Sequence, residues 1–423
     1  MKIIRVTNVE KFSAQILPKQ PQKNRSTVES VLKNVQKNGD SAIRKYEKQF
    51  NGAKVTSLRL SQNEIKDAFS KVSKKKIAAI QLAKLRLEKT ESVVKSILKN
   101  KTINADGIKI FKKFTPIQSV GCYIPGGLAR YPSSVIMSVI PAKIAGVKRI
   151  VVVSPPNSDG EIDPLVVVTA EICGANEIYR VGGAQAIAAL SFGTKSISKV
   201  DKIIGPGGAF VTLAKFMVSE RTSIDMLAGP TELGIIADET ANPKYIALDL
   251  ISQSEHSKDT FCYLITNSEK LAKSVDKIIT DMVNKIKRSD FVKTSLKENG
   301  FIAICKNNSD MIKLANELAP EHLQIMTKNP NSFASKITSS GLVLLGHDTP
   351  SSASDYLLGS NHILPTNKFG KTRGSLSVLD FIKINTQVST SKSVLSKISK
   401  HLEIFTEAEG LPNHYEAVQG RIK

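Results

Sequence analysis

The sequence predicts an α/β protein built from two doubly wound, Rossmann-like domains. Short β-branched segments alternate with helical patterns from about residue 117 to 230, and a second series of the same kind continues to about residue 345. Strands joined by helices of this length need crossover connections, which give mainly parallel sheets. The 423 residues are also too many for one ordinary hydrophobic core, so two or three packed domains are expected.

The first 115 residues are predicted to be mostly helical. Apolar residues recur every three or four positions in TVESVLKNVQKN and in KKKIAAIQLAKLRLEKTESVVKSILKN. This spacing is typical of amphipathic helices. No motif in this part of the chain suggests a catalytic group.

The two α/β series can be divided into their elements. In the first, we expect strands in QSVGCYIP, RIVVVSP, EIYRV and KIIGPG. In the second, LGIIAD, TFCYLIT, FIAIC, LQIM and GLVLLG are the expected strands. Asn242 before Pro243 marks a helix start, because Asn caps free amides and Pro is tolerated at the first helical position.

The last 48 residues differ from both series. After a stretch rich in Ser, Gly and Pro from 350 to 375, residues 376–423 have helical patterning but little apolar surface. Such a tail cannot form its own core. We therefore expect it to pack on another domain or on another subunit.

The charge balance does not by itself indicate a function. The chain has 60 basic and 38 acidic residues, a net charge of +22, and its basic residues are 48 Lys and only 12 Arg. A lysine-rich module that binds nucleic acid is one interpretation, but such modules gather charge on one face and rely on Arg and aromatic side chains. Here the lysines are spread along the chain, so we favour a solvated lysine coat without specific nucleic-acid binding.

Export and membrane insertion are not expected. No segment approaches the roughly 18 apolar residues that cross a bilayer, and the N-terminus lacks the order of a secretory signal. The four cysteines are far apart and form no Cys-x-x-Cys pair, which argues against a disulfide framework or a zinc ribbon. The reducing cytoplasm is the expected compartment.

Three glycine-rich turns follow predicted strands of the first series. They are Gly126-Gly127, Gly182-Gly183 and Gly205-Pro206-Gly207-Gly208. Such turns bring backbone N–H groups and a helix N-terminus to a phosphate. None completes G-x-G-x-x-G, because Phe210 stands where the last glycine would be. Dinucleotide binding is permitted by this pattern, and ordinary tight turns would explain the glycines equally well.

All six histidines lie in the last 168 residues, and several stand beside other polar groups. The pairs are Gln253 with His256, Glu321 with His322, Asp355 with His362, and Glu409 with His414. Imidazoles with oxygen donors and no cysteine suit a catalytic zinc ion with open positions for substrate. Each histidine alone is more often a capping or surface residue. The spacing therefore favours a metal-dependent α/β enzyme and goes no further.

One long segment resembles a known family. SIDMLAGPTELGIIADETANPKYIALDLISQSEH is similar to the signature of histidinol dehydrogenases, and the similarity continues through YIPGG, VGGAQAIAAL, GPGGAFVTLAK, APEHLQI, DYLLGSNHILPT and EGLPNHYEAV. It covers about residues 117–423. The resemblance implies oxidation of L-histidinol to L-histidine through L-histidinaldehyde, the last steps of histidine biosynthesis, with zinc and NAD as cofactors.

The resemblance also implies roles for individual residues in a homodimer with shared active sites. The implied zinc ligands are Gln253, His256 and Asp355, with His414 from the neighbouring subunit; the catalytic acid-base pair is Glu321 and His322; Thr231 and Glu409 contact the substrate, as do the ligands and the catalytic pair; Tyr123, Gln185 and Gly208 contact NAD. Gly208 departs from the family, in which an Asn usually stands at this position.

The resemblance implies a division of the chain as well. Residues 1–20 would be an N-terminal arm, 21–116 with 231–375 a first α/β domain that carries most zinc and catalytic residues, 117–230 the NAD-binding domain, and 376–423 an intersubunit tail. A zinc hydrolase or lyase built on the same polar cluster is the alternative enzyme.

Overall fold

The computed structural model describes residues 1–16, 24–126 and 130–423. Its strands are β1 (Lys2–Arg5), β2 (Lys101–Ala105), β3 (Ile108–Pro116), β4 (Ser119–Tyr123), β5 (Arg149–Ser154), β6 (Glu177–Arg180), β7 (Lys202–Ile204), β8 (Ser223–Ile224), β9 (Glu232–Ala237), β10 (Phe261–Thr266), β11 (Phe301–Ile304), β12 (His322–Met326), β13 (Leu342–Leu345) and β14 (Ile382–Ser389). Its helices are α1 (Val9–Gln15), α2 (Arg25–Asn51), α3 (Gln62–Ser70), α4 (Lys74–Ile97), α5 (Pro132–Ala145), α6 (Pro164–Cys173), α7 (Gly183–Phe192), α8 (Ala209–Val218), α9 (Pro243–Ser254), α10 (Glu269–Val283), α11 (Ser289–Glu298), α12 (Asn308–Leu318), α13 (Pro330–Ala334), α14 (Ser351–Ser354), α15 (Lys392–Ala408) and α16 (Pro412–Ile422).

The larger sheet has six parallel strands in the order β1-β11-β10-β9-β12-β13. From β9 the chain adds β10 and β11 on one side and then β12 and β13 on the other. The strand order therefore reverses between β9 and β12. The edge strand β1 comes from the segment that the sequence assigned to an N-terminal arm; its residues Lys2 and Arg5 pair with Phe301 and Ile304.

The smaller sheet has five parallel strands in the order β6-β5-β4-β7-β8. Here the strand order reverses between β4 and β7. Helices α5 and α7 are buried nearly all round, because Val135, Ile140, Ile187 and Leu190 have no exposed surface. The α/β fold with parallel sheets that the sequence predicted is confirmed.

The N-terminal helices form a further layer on the smaller sheet. Val28, Val35 and Ile43 of α2 belong to the same apolar cluster as Ile187 and Leu190 of α7. Helix α4 packs in the same way on α5, and α3 packs on α6. The sequence-based division grouped residues 21–116 with 231–375, whereas these helices pack against residues of 117–230. The reason is that α5, α6 and α7 present apolar outer faces that need cover.

A small antiparallel sheet, β14-β3-β2, is a feature that the helical predictions for residues 1–115 and 376–423 missed. Strand β14 pairs with β3 along its whole length, from Ile382 opposite Pro116 to Ser389 opposite Lys109. Helices α15 and α16 pack on each other as a hairpin. No helix among the described residues is long and apolar enough to cross a membrane.

The predicted start of α9 is confirmed. Asn242 precedes Pro243, and its side-chain oxygen accepts a hydrogen bond from the Lys244 backbone amide at 2.9 Å. This cap satisfies one of the free amides of the first turn. It fixes the helix that ends beside Gln253 and His256.

Candidate active site

The polar side chains predicted to be functional gather at the amino ends of β9 and β12, the two strands between which the order of the larger sheet reverses. Thr231 directly precedes β9, Glu321 directly precedes β12, and His322 is the first residue of β12, opposite Leu233. The end of α9 brings Gln253 to the same edge, because this helix runs back to the start of β10.

Glu321 is held by its neighbour on β9. Its Oε2 accepts a hydrogen bond from the Glu232 backbone amide at 2.8 Å, while its own amide donates to Glu232 Oε2 at 3.2 Å. Burial raises the pKa of Glu321 to about 7 and that of Glu232 to about 8. Glu321 can therefore hold or release a proton near neutral pH, which suits acid-base work.

His322 is buried, and its two ring nitrogens have different surroundings. Nδ1 lies 3.3 Å from the carbonyl oxygen of Glu232, which can only accept, so Nδ1 carries the ring proton. Nε2 lies 3.4 Å from Asp355 Oδ1 and has no hydrogen-bond partner among the described residues. Nε2 is thus the atom available to take a proton.

The charge of His322 depends on two carboxylates. Burial disfavours the imidazolium, yet Glu321 and Asp355 together raise the pKa of His322 above its ordinary value. Burial by itself would raise the pKa of Asp355. The contact with His322 outweighs it and holds the pKa of that carboxyl below its usual range. The pair favours proton uptake at His322.

A nitrogen and oxygen donor set lies beside this pair. Gln253 is buried, and its Nε2 has no partner within the described ranges, while its Oε1 accepts from Ser351 Oγ at 3.5 Å. His256 follows Gln253 by three residues and is exposed, and Asp355 ends α14. Within residues 1–16, 24–126 and 130–423, no three His, Cys, Asp or Glu side chains are grouped to hold a metal ion. An amide oxygen, an imidazole and a carboxylate still fit zinc, and Oε1 is the Gln253 atom that could bind it.

The smaller sheet presents its carboxyl ends at the point where its strand order reverses, which is where open α/β sheets bind ligands. Tyr123 ends β4, and Gly205 follows β7. Gly205 has φ of +110°, and a Cβ there would collide with the Tyr123 carbonyl oxygen, so only glycine fits. Gly208 caps α8, and a side chain there would meet open space.

Gln185 lies in the first turn of α7, next to this crevice, and is almost fully buried. The preceding glycine, Gly183, donates its backbone N–H to the Tyr123 hydroxyl at 3.2 Å. The residues implied as NAD contacts therefore border one crevice. Of the remaining glycine-rich turn, Gly126 packs against Pro155, and Gly127 lies outside the described residues.

Polar contacts join the two edges. The Oγ atom of Ser134, in the first turn of α5, lies 3.4 Å from the Nε2 atom of His362. The Gly229 amide donates to Thr366 Oγ1 at 2.5 Å, and the Arg373 guanidinium donates to the Asp225 carbonyl. The carboxyl edge of the smaller sheet thus adjoins the amino edge of the larger sheet, where Glu321 and His322 lie.

Comparison with known proteins finds relatives that match nearly the whole chain. A histidinol dehydrogenase family profile matches residues 17–422. The histidinol dehydrogenase of Methanocaldococcus jannaschii is 41% identical over 94% of this chain and 92% of its own, and that of Bacillus cereus is 40% identical over 97% and 95%. The crystal structure of histidinol dehydrogenase from Elizabethkingia anophelis superposes with a TM-score of 0.94 at 34% identity, over 100% of this chain and 98% of its own.

The chain belongs to the histidinol dehydrogenase family. This confirms the resemblance found in the sequence and the prediction of an oxidoreductase. Family membership applies to nearly the whole chain, including the N-terminal helices for which the resemblance was weakest.

Two residues implied by the family lie elsewhere in this subunit. Glu409 caps α15 at its C-terminal end, His414 is in the first turn of α16, and both are exposed. Among the described residues, neither side chain is hydrogen-bonded or ion-paired to Gln253, His256 or Asp355. Within the described part of one subunit, therefore, Glu409 and His414 do not contact Gln253, His256 or Asp355.

Sequence reasoning assigned no role to His362, although it noted the spacing from Asp355. The His362 Nδ1 lies 2.8 Å from the Asp355 carbonyl oxygen, so Nδ1–H donates there and fixes the ring. Glu232 was also missed. The signal for Glu232 is its position next to Thr231 at the start of a wholly buried strand, where a charged residue needs a reason to be buried.

Proposed function

We propose that the protein oxidises L-histidinol to L-histidine through L-histidinaldehyde, with transfer of two hydrides to NAD and with a bound zinc ion. The observation that carries the proposal is the free Nε2 of His322, on a buried ring whose Nδ1 lies 3.8 Å from Glu321 and whose Nε2 lies 3.4 Å from Asp355, at an edge that adjoins the glycine-rich turns. Membership of the histidinol dehydrogenase family supports the choice of substrate.

His322 acts as the base in both oxidations. Loss of hydride from a carbinol carbon requires the hydroxyl proton to leave, and His322 Nε2 accepts it while Nδ1–H stays bonded to the Glu232 carbonyl. The elevated pKa of His322 makes it a stronger base than a free imidazole. Glu321 and Asp355 stabilise the imidazolium that forms.

Glu321 acts between the two oxidations. The aldehyde must add water before it can lose a second hydride, and Glu321 deprotonates that water. Its pKa, raised to about 7 by burial, keeps its conjugate acid ready to return the proton. The resulting hydrate resembles the alcohol, so His322 can serve both substrates.

Gln253, His256 and Asp355 would hold zinc together with His414 of the partner subunit, and Thr231 and Glu409 would contact the substrate. When bound, zinc would orient the substrate through its nitrogen atoms. A fourth ligand from a second chain agrees with the exposure of His414 and Glu409 in this subunit.

Tyr123, Gln185 and Gly208 would contact NAD, which accepts the hydride when bound. Gly205 lets the chain pass close to the Tyr123 carbonyl, so the turn can bring backbone N–H groups to the coenzyme. At Gly208, the absence of a side chain leaves backbone contact only. We assign this part of the chain, about residues 117–230, to NAD binding.

A cytoplasmic homodimer is part of the proposal. The C-terminal elements expose large apolar side chains, including Ile384, Val388 and Phe405, each at least 60% exposed. Such surface is costly unless it is covered, and a second copy that uses the same tail would cover it. All four cysteines are free and buried, in agreement with a reducing compartment. Neither nucleic acid nor a membrane is needed as a partner.

The direct test uses purified protein with NAD and L-histidinol. We expect growth of NADH absorbance, with two NADH formed for each histidine, and loss of activity after treatment with a chelator. Added Zn²⁺ should restore it. NADH formation at the same rate in metal-free protein would contradict the zinc requirement, and no NADH with metal-loaded protein would contradict the proposed reaction.

Glu321→Gln should separate the two oxidations. The amide keeps the shape of the side chain but cannot take a proton, so we expect oxidation of histidinaldehyde to slow by about 100-fold and oxidation of histidinol by much less. Single-turnover assays with each substrate would measure this. The surface variant Glu317→Gln is the control, since Glu317 forms its ion pair with Lys371 on the protein surface. Equal losses on both substrates would contradict the division of labour.

A further inference from the structure

Glu47 of α2 is a buried carboxylate in the N-terminal part of the chain, where no motif suggested chemistry. It has no exposed surface. Its Oε1 accepts hydrogen bonds from the Gly182 backbone amide and from Gln185 Nε2, both at 2.9 Å. Its Oε2 accepts one from Asn51 Nδ2 at 2.6 Å. A helix from outside the smaller sheet thus reaches the turn that begins α7.

Three hydrogen-bond donors face the buried carboxyl group of Glu47. Burial raises the pKa of Glu47, but the bonds from Gly182, Gln185 and Asn51 act in the opposite direction. All three partners are placed as donors: the Gly182 N–H can only donate, and the NH₂ groups of Gln185 and Asn51 face the carboxylate. A buried carboxylate is tolerated when donors satisfy it in this way.

An ionised Glu47 determines which end of the Gln185 amide faces outward. A carboxylate only accepts, so the NH₂ of Gln185 must face it and the amide oxygen must lie on the other side. That oxygen is buried and has no hydrogen-bond partner among the described residues. It lies beside Gly183, whose amide is bonded to the Tyr123 hydroxyl. An unsatisfied acceptor is therefore held at the crevice.

The same carboxylate changes what the start of α7 can bind. The positive end of a helix ordinarily attracts phosphate, but here Glu47 already occupies the Gly182 amide and adds a negative charge. The start of α8 differs, because Gly208 has open space beside it. Phosphate binding is therefore disfavoured at the start of α7, where Glu47 lies.

We propose that Glu47 is a positioning residue for the coenzyme: it orients the Gln185 amide so that an acceptor oxygen faces a hydroxyl or carboxamide donor of NAD. The inference rests on the proposed contact between Gln185 and NAD. Glu47 itself does not touch the coenzyme. Its effect passes through Gln185 and the Gly182 amide.

The test measures NADH binding by metal-loaded protein, read from the fluorescence of NADH, in a chain that contains no Trp to interfere. We expect Glu47→Ala to weaken NADH binding about tenfold, because a charge-assisted hydrogen bond and the amide orientation are lost together. Glu47→Gln should keep most of the affinity, since its oxygen can still accept from Gly182 and Gln185 after Asn51 turns over. Rescue by this isosteric variant points to orientation of the amide.

A double-variant cycle separates positioning from general stability. If Glu47 acts through Gln185, Glu47→Ala should add nothing to the NADH-binding defect of Gln185→Ala. The matched control is Glu91→Ala, which removes another buried carboxylate that accepts a backbone amide, from Val378 at 2.7 Å, far along the chain from the turn. It should lower the thermal unfolding temperature and leave NADH affinity unchanged.

The outcomes are distinguishable. Equal NADH affinity in wild type and Glu47→Ala, additive losses in the double variant, or an equal defect in Glu91→Ala would each overturn the role of Glu47. If Glu47→Ala does not fold, Glu47→Asp replaces it, because the shorter side chain withdraws the carboxylate from Gln185, and wild-type affinity in that variant would overturn the role equally. Absence of NADH binding by the wild-type protein would overturn the proposed function as well.

Discussion

His322→Asn should slow the oxidation of both histidinol and histidinaldehyde by about 100- to 10,000-fold, the usual range for loss of a general base. Asparagine can retain the bond to the Glu232 carbonyl that Nδ1 makes, but it has no atom that takes a proton at neutral pH. The loss should appear in kcat for both substrates, because the same nitrogen accepts the hydroxyl proton each time. Steady-state and single-turnover rates of NADH formation would measure it.

The control for this variant is His401→Asn. His401 lies on α15 and is exposed, so its replacement should leave both rates unchanged. NADH affinity and metal content should be the same in His322→Asn as in wild type, which would show that the lost group acts in proton transfer. Comparable turnover in wild type and His322→Asn would remove His322 from that role.

Much of the architecture could be predicted because its signals are local. Buried parallel strands appear as short apolar runs, and helix starts have their own chemistry, as Asn242 and Pro243 illustrate. Pro320, which ends the preceding helix, also predicts that Glu321 and His322 lie in a loop or at the start of a strand, and in the structure β12 begins at His322. These features depend on neighbours within a few residues.

Other features depend on contacts between distant parts of the chain. Periodicity predicts which face of α2 is apolar, but it does not identify α7 as the partner of that face. Strands β3 and β14 are about 270 residues apart in sequence. Although Ile382, Ile384 and Val388 alternate with polar residues, nothing in either segment identifies the other as its partner. For the same reason Glu47 could not be distinguished from other glutamates on helices. Its burial follows only from the packing of α2 on α7.

The family resemblance supplied what local patterns could not. Spacing alone suggested that Gln253 and His256 face one point, and both lie at the end of α9. It gave no reason to join Asp355 to them, a hundred residues later. The exposure of His414 on α16 agrees with the proposal that a second subunit completes the site. A site shared between two subunits can be tested by mixing variants of the two chains.

Mixing His256→Ala with His414→Ala should restore activity that each variant lacks alone. In a dimer with shared sites, one site of a mixed pair carries both defects and the other carries none. If subunits exchange at random, half of the dimers are mixed and each has one intact site, so we expect about one quarter of wild-type activity per subunit. NADH formation before and after exchange would measure the recovery.

A second mixture provides the control. His256→Ala with Gln253→Ala places both defects on the same part of the site, so every site in the mixed dimer keeps one defect and no activity should return. Exchange itself can be followed by tagging one variant and purifying the mixed dimer. If the purified mixed dimer of His256→Ala and His414→Ala is inactive, each subunit builds its site alone, and the assignment of His414 to a neighbouring site is wrong. Recovery in the first mixture and not in the second is the result that shared sites require, because only then do the two lost imidazoles lie in the same site of the mixed dimer and leave the other site intact.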